Sequence, residues 1–362
     1  MMQIPMDVFA YTKEAVAAAR GGRLIFANAA AKEILGEDCQ GRAVKALMGV
    51  EVAEAQASNF VADVCSAGRS FALRATKHEN LQFFFLSQHE KQPELLNDAF
   101  IYSLRNSIMT LNLALDMCRL RAEELKDAEI LENMREISRS QMRLSRLLSN
   151  VTVLRDRQNG GECFAPVNFD LAGMCRAMID CVAALTENVE FTLNAPQSLF
   201  VNADASQLKK LVSNLISNCL VHGSGLSRVS VNLVETADFA MISVSDDGCG
   251  IEGDKLHRVF DRYRHIYGMD EMNGGAGLGL SLVRVIAQRH GGTLLLESRT
   301  GHGTTVKVSI RKDKNGGVSL RSGTEEQFEV KTALMELSDC LDSRYYGETP
   351  MEHSGARMPR PM

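Results

Sequence analysis

Asn214-Leu215-Ile216-Ser217-Asn218, Asp246-Asp247-Gly248-Cys249-Gly250 and Gly274-Gly275-Ala276-Gly277-Leu278-Gly279-Leu280 follow one another along the chain, and Gly301-His302-Gly303-Thr304 closes the series. Each segment has a physical reading of its own. Residues from Gln207 to Val221 read as a helix, which places Asn214 and Asn218 one above the other on one face. Two neutral amide oxygens so placed suit a hard cation that keeps most of its water, as phosphate-bound Mg2+ does. Ile242 to Val244 is a short apolar strand that delivers Asp246. A carboxylate at a strand end can accept a hydrogen bond from an exocyclic amino group, and Gly248 and Gly250 permit the tight turn and close approach of a flat base. The glycines ahead of a helix predicted from Ser281 to Gln288 leave backbone N–H groups and the positive helix end open to phosphate. Gly301 to Thr304 turns between two strands and can close the pocket floor. Taken singly, a glycine run is a turn and an asparagine pair is helix surface; the ordered set points to one nucleotide site.

Around this site the bulk properties are those of a soluble globular chain. Of its 362 residues, 45% are hydrophobic and 23% charged, and that length predicts two or three domains. A net charge of −5 gives no basic excess for nucleic acid and no cationic helix for a membrane surface. No apolar run approaches the ~18–20 residues that span a bilayer; Leu81 to Leu86 is strand length. The N-terminus lacks a basic region followed by an apolar core, so no secretory signal is expected. The nine cysteines are scattered without a CxxC pair, which predicts reduced thiols and a cytoplasmic location.

Residues 1–90 read as a small α+β module. Gly21-Gly22 turns into a strand ending at Asn28, Ala29 to Leu35 is a short helix closed by Gly36, and Ser70 to Lys77 and Leu81 to Gln88 are strands separated by His78-Glu79-Asn80. The stretch Ala27-Asn28-Ala29-Ala30 through Leu35-Gly36 resembles the segment that follows the early strands of PAS domains; an unrelated small α+β domain is the alternative. His78 and His89 stand at strand ends and receive no role. Residues 94–158 read as two long helices. Ile101, Leu104, Ile108, Leu111, Leu115 and Cys118 form one seam, and Ile130, Met134, Ile137, Gln141, Leu144, Leu148 and Val151 the other. A polar turn near Lys126-Asp127 makes them a hairpin. One hairpin cannot bury both faces, so a dimeric four-helix bundle is expected, with a monomeric hairpin packed on a neighbouring domain as the alternative. Gln141 takes a seam position, where a polar residue fixes register. Asn159-Gly160-Gly161 breaks the helix. Residues 313–362 read as a polar tail, beginning with Asn315-Gly316-Gly317, containing one amphipathic helix from Val330 to Leu341, and ending in a segment with Pro350, Pro359 and Pro361 that is expected to be disordered.

Over 162–312 the ordered set resembles the GHKL-type catalytic domain of sensor histidine kinases. Asn214 to Asn218 matches the N box, Asp246 to Ile251 the first glycine box, Val259-Phe260-Asp261-Arg262-Tyr263 the F box, and Gly275 to Leu280 the second glycine box; Asp204 sits at the family's lead-in to the N box. The resemblance implies an α+β multidomain chain: a PAS-like domain, a helical hairpin forming a four-helix bundle in a dimer, and an α/β sandwich. It implies ATP and Mg2+ as ligands, with Asn218 on the metal and Asp246 on the adenine amino group. Asn214, Gly248, Gly250, Gly275, Gly277, Leu278, Gly279 and Thr304 complete the implied cofactor set, and His265 to Asn273 would be a short ATP lid. Two departures stand out. Val221 occupies the place where the family often has a phosphate-touching Lys, and Arg264-His265 makes an imperfect end to the F box. His222 sits where the family often carries Tyr or His, a pocket-packing position.

The same resemblance exposes a gap. Histidine kinases carry an acceptor His on the first hairpin helix, and the matching segment here is Ile101-Tyr102-Ser103-Leu104-Arg105-Asn106-Ser107-Ile108. Tyr102 holds the histidine position and Ser103 that of the acidic neighbour; no histidine lies between His89 and His222. Phosphoryl transfer needs a positioned nucleophile. Imidazole serves near neutrality, whereas a phenol titrates at about 10 and needs a base. Tyr102 is therefore expected to be an exposed aromatic without chemistry, phospho-acceptor being the alternative. GHKL ATPases such as DNA gyrase place Glu at the position of Asn214; an amide cannot activate water, so ATP turnover is not expected. Two functions stay open: a two-component kinase that phosphorylates an atypical or in-trans acceptor, or a catalytically degenerate module whose ATP occupancy switches a dimer. An anti-sigma-type Ser/Thr kinase fits the long hairpin less well. Expected partners are a second copy or another kinase in a heterodimer, and a response regulator.

Overall fold

Helix propensity would coil the alanine-rich run Ala15-Val16-Ala17-Ala18-Ala19, yet in the computed structural model it forms strand β1 (Ala15–Arg20), buried along five consecutive residues. The structure describes residues 9, 12, 14–49, 52–53, 59–66, 69–78, 80–88, 98–125, 128–156, 164–252, 278–312 and 328–346. Small side chains suit a central strand covered on both faces. Strand β2 (Arg23–Ala27) returns antiparallel to β1, and helix α1 (Ala29–Leu35) follows, ended by Gly36 at φ 99°. Asn28 explains the junction. Its Oδ1 accepts the N–H of Ala31 as the α1 cap and the N–H of Val16 on β1, while its Nδ2 donates to Glu14 O at 2.7 Å. Helix α2 (Val44–Met48) leads to β3 (Asn59–Ser66), β4 (Arg69–His78) and β5 (Leu81–Gln88). The antiparallel order is β2-β1-β5-β4-β3. The strands expected at 70–77 and 81–88 are both present, the first one residue longer at each end.

Two long helices come next, α3 (Asp98–Leu125) and α4 (Ala128–Asp156), packed together as a hairpin. Their predicted seam is only partly covered within one chain. Ile101, Met134 and Gln141 are buried, whereas Leu104, Leu111, Ile130, Ile137 and Leu144 remain exposed. Gln141 donates from Nε2 to Ser145 Oγ at 2.8 Å.

The remaining elements form an α/β unit. Strand β6 (Val167–Asp170) pairs with β8 (Phe200–Ala203). Helices α5 (Leu171–Leu185), α6 (Ala205–His222) and α7 (Gly279–Arg289) lay apolar stripes on a sheet of β7 (Glu190–Asn194), β9 (Arg228–Glu235), β10 (Phe239–Asp246), β11 (Leu294–Ser298) and β12 (Thr304–Arg311). The core joins Met178, Leu208, Leu211, Leu215, Leu282 and Ile286 to the inward alternation of the strands, Val229, Val231, Ile242, Val244 and Val308.

One feature was not expected. The two sheets are continuous: β3 pairs antiparallel with β11, placing Ala62 opposite Leu295 and Val61 opposite Leu296. The ten-strand order is β2-β1-β5-β4-β3-β11-β12-β10-β9-β7. The cores exchange residues across this seam, Leu295 joining the N-terminal core and Val61 the C-terminal one. Helix α8 (Val330–Glu336) is shorter than the predicted 330–341. At Leu337 the backbone leaves the helix (φ −106°, ψ 15°), and Ser338 Oγ donates to Met335 O at 2.8 Å, competing for a helix carbonyl. Turns then lead to a 3-10 segment, Ser343–Tyr346. The predicted break at 159–161 and the tail beyond 346 lie outside the described residues. Among the described residues no helix is long and apolar enough to cross a membrane.

Candidate functional site

Helix α6 starts where its cap is strongest. Asp204 Oδ1 accepts Gln207 N–H at 3.1 Å and Ser206 Oγ–H at 2.7 Å; its Oδ2 accepts Gln207 Nε2 and Ala165 N. Burial opposes the charge on Asp204, but these bonds outweigh it and hold the carboxyl below the usual range. Beneath it, His290 Nε2 accepts the Asp204 N–H at 3.1 Å while Nδ1 faces Ile286 O at 2.8 Å, which fixes a neutral ring protonated on Nδ1. Phe164 packs edge-on against that ring. Sequence reading assigned His290 nothing; its partners come from three separate elements.

The helical spacing of α6 does put Asn214 and Asn218 on one face, but in unequal positions. Asn214 is 0% exposed. Its Oδ1 accepts Arg146 Nη2–H from α4 at 3.0 Å, and its Nδ2 donates to Lys210 O at 2.8 Å. Asn218 is half-buried. Both amides face the start of α7: a Cβ built on Gly279 would lie 3.3 Å from Asn218 Oδ1 and 3.4 Å from Asn214 Oδ1. Glycine there lets the helix end approach the two asparagines. Leu278, buried, caps α7 without a side-chain bond. Gly275, Gly277, the F box and the expected lid at 265–273 lie outside the described residues.

Asp246 ends β10. Its Oδ1 accepts two backbone N–H groups, Gly248 at 3.0 Å and Thr304 at 3.2 Å. Burial pushes its carboxyl up; those N–H bonds and the Cys219 thiol pull the other way without cancelling it, and Asp247 adds a like charge. Two glycines are obligatory around it. Gly303, at φ 82°, would drive a Cβ to 1.9 Å from Asp246 O, and Gly250, at φ 67°, one to 2.2 Å from Arg299 O. Gly248 packs on Gly223, where a Cβ would meet the backbone at 2.7 Å. Thr304 also shares a hydroxyl bond with Ser298. The neighbouring Asp247 points away. It accepts the N–H groups of Ser227 and Arg228 and the Ser227 hydroxyl, and is held at about 2, chiefly by that hydroxyl. Of two adjacent aspartates, one faces the glycine cluster and the other staples a loop.

Tyr102 stands on α3, 67% exposed, on the flank expected from the buried Ile101. Val221 is half-buried and His222 exposed at the end of α6. Two residues that sequence reading passed over touch Asn214: Arg146, through its guanidinium, and Lys210, one turn before it, through its carbonyl. Helical spacing alone places Lys210 on the asparagine face, whereas Arg146 needs the tertiary fold.

A half-buried carboxylate stands among glycines at the end of β10, and a pair of amides faces the start of α7, all on one α/β layer. Residues 203–314 match the family of histidine kinase-, DNA gyrase B- and HSP90-like ATPases. The chain is 31% identical over 222 residues to the sensor protein IrlS of Burkholderia pseudomallei, covering 58% of this chain and 47% of that protein. It is 42% identical over 115 residues to the histidine protein kinase DivJ of Caulobacter vibrioides, covering 32% of this chain and 19% of that protein. Among solved structures it is similar to the ATP binding domain of PrrB from Mycobacterium tuberculosis, with 24% identity, a TM-score of 0.34, and 41% of this chain and 98% of that one covered. The chain spans about half the length, or less, of these curated relatives. Residues 203–314 thus carry a histidine kinase-, DNA gyrase B- and HSP90-like ATPase domain, and the chain is similar to sensor histidine kinases.

Proposed function

We propose that the chain binds Mg·ATP in its GHKL domain and acts in two-component signalling, with phosphoryl transfer directed to an atypical acceptor or to one on another chain. The observation that carries this reading is the convergence of Asn214, Asn218 and Gly279 within one contact distance, with Asp246 held beside the same helix α6 by the Cys219 thiol. The residues suit the ligand. Asp246 gives Oδ1 to two backbone N–H groups, and its carboxylate can accept an exocyclic amino group as well. Asn218 offers an amide oxygen to a hydrated cation, and Gly248, Gly250 and Thr304 shape the base pocket. Leu278 and Gly279 stand at the start of α7 and, with Gly275 and Gly277 just before them in sequence, would hold phosphate there. Mg·ATP would supply the phosphoryl group; the chain's own residues bind and orient it. Asn218→Ala and Asp246→Ala should each weaken nucleotide binding at least about tenfold, about 1.4 kcal/mol. Calorimetry giving wild-type affinity for both would remove the site.

A second reading, a catalytically degenerate module whose ATP occupancy switches a dimer, is favoured by Tyr102, which is exposed and followed by Ser103 where an acid is needed. The domain plan supports either: a PAS-like module over 1–90, consistent with the strand order β2-β1-β5-β4-β3 and the Asn28 junction, a hairpin over 94–158, the ATP domain over 162–312, and a C-terminal segment over 313–362. The exposed seam of Leu104, Leu111, Ile130, Ile137 and Leu144 calls for a second hairpin, from another copy or from a partner kinase. A response regulator is the natural recipient. Light scattering that gives a monomer at micromolar concentration would sink the homodimer.

A further inference from the structure

Residues 328–346 wedge between α4 of the hairpin and the catalytic unit. Phe328, Ala333, Leu334, Leu337, Leu341 and Tyr346 join its main core, and the Tyr346 hydroxyl donates to Leu334 O at 2.9 Å. The polar side of this segment is unusual. Asp339 accepts Arg146 Nη1 at 2.6 Å and Arg143 Nε at 2.8 Å. Glu336, 1% exposed, accepts Lys210 Nζ at 3.0 Å, and Lys210 also donates to Ser149 on α4. The same Arg146 donates to Asn214 Oδ1, the oxygen that faces the start of α7.

Two cations therefore stand within one side chain of the phosphate end of the site, and both are neutralised by carboxylates from the C-terminal segment. The site lacks a lysine at position 221, where Val221 stands. The ionic cluster is also imperfect. Arg146 Nε and Glu336 Oε2 face each other at 3.7 Å, and neither buried atom has a hydrogen bond. A buried ion pair with unmet bonds is costly to maintain, as a contact meant to exchange partners would be. Carboxylate and phosphate oxygens compete for the same guanidinium and ammonium groups.

We infer that the segment 328–346 is an internal competitor of the nucleotide: Glu336 and Asp339 occupy Arg146 and Lys210, the two cations that would otherwise hold the phosphates of a nucleoside triphosphate. The inference rests on the nucleotide reading of the site. Loading the site then releases the segment, and releasing the segment favours loading, since the coupling is reciprocal.

The test uses the full chain, Mg2+ and a fluorescent nonhydrolysable ATP analogue. Glu336→Gln with Asp339→Asn should tighten binding about tenfold, the scale of one charge-assisted hydrogen bond. Adding Arg146→Gln to that background should cancel the gain. In the wild-type chain, saturating nucleotide should raise amide hydrogen exchange across 333–341, a readout that does not depend on the variants folding. Equal affinity of the folded double variant and the wild type, or unchanged exchange at saturation, overturns the competitor. Absence of binding in every form overturns the nucleotide site itself, and the competitor with it, and is told apart because the wild type then gives no signal.

Discussion

Replacing Asp246 by Asn separates what this side chain does for a ligand from what it does for the fold. Its Oδ1 holds two backbone N–H groups, at 3.0 and 3.2 Å, and an asparagine oxygen keeps both. Burial raises the carboxyl above its unfolded value of 3.8. A group raised on folding favours the native state below its unfolded pKa, and that contribution is lost as pH rises through the folded value. Near neutrality the carboxylate is thus a burden on the fold, and asparagine removes it; urea unfolding should show unchanged or higher stability. The ligand sees the reverse. In the proposed complex the asparagine amino group, a donor, would meet the donor amino group of adenine. The lost charge-assisted hydrogen bond corresponds to about 1.5–3 kcal/mol, or roughly 10- to 150-fold in Kd. Titration calorimetry with Mg2+ and a nonhydrolysable ATP analogue measures it. Wild-type affinity in the asparagine variant, or affinity lost in step with stability, would refute the reasoning.

Other outcomes follow from the same geometry. Asp204→Ala removes the α6 cap, about 1 kcal/mol, and leaves Gln207 Nε2 and Ala165 N without their acceptor, for a total of roughly 2–4 kcal/mol in urea unfolding; a loss under about 1 kcal/mol would mean that the cap is redundant. His290 must stay neutral to accept the Asp204 N–H, and burial pulls it below its ordinary 6.5. Its contribution to stability is therefore complete above about pH 6.5 and falls as pH drops from there toward the folded value; a stability profile flat from about pH 7 to about pH 5, unaltered by His290→Asn, would exclude this role. The unmodified chain incubated with labelled ATP should form no acid-labile, base-stable phosphate, while Tyr102→His with Ser103→Glu should gain one if the ATP domain is competent; acid-labile label on the unmodified chain would contradict the assignment.

Local chemistry was legible in the sequence, and long-range partnership was not. Ala29 to Leu35 with Gly36, the two strands around residue 80, and the α6 face bearing Asn214 and Asn218 all follow from near neighbours, and each is present. Asp246 and Asp247 are adjacent and alike in sequence; only the turn at Ser227 shows which is structural. β1 escaped notice because alanine favours helix unless a sheet surrounds it. Arg146 is one of several arginines on α4, and nothing within its helix marks it as the partner of Asn214. Leu294-Leu295-Leu296 did carry a signal: an unbroken apolar run at strand length indicates burial on both faces, and the second cover is the β3 module. Glu336 and Asp339, in a segment with no regular pattern beyond α8, acquire meaning only from what they touch.

The β3–β11 seam bears on how this chain can be divided. β11 ends the C-terminal sheet, and without β3 its N–H and C=O groups along Leu294 to Ser298 would form a bare edge beside an exposed Leu295. A fragment beginning near Phe164 would carry that edge into solution as a template for pairing with any other extended chain, its own copies first. Excising the catalytic unit would thus produce a stickier molecule than the one it came from. A lysine at position 295 would protect the fragment by the same device with which natural sheets guard their outermost strands.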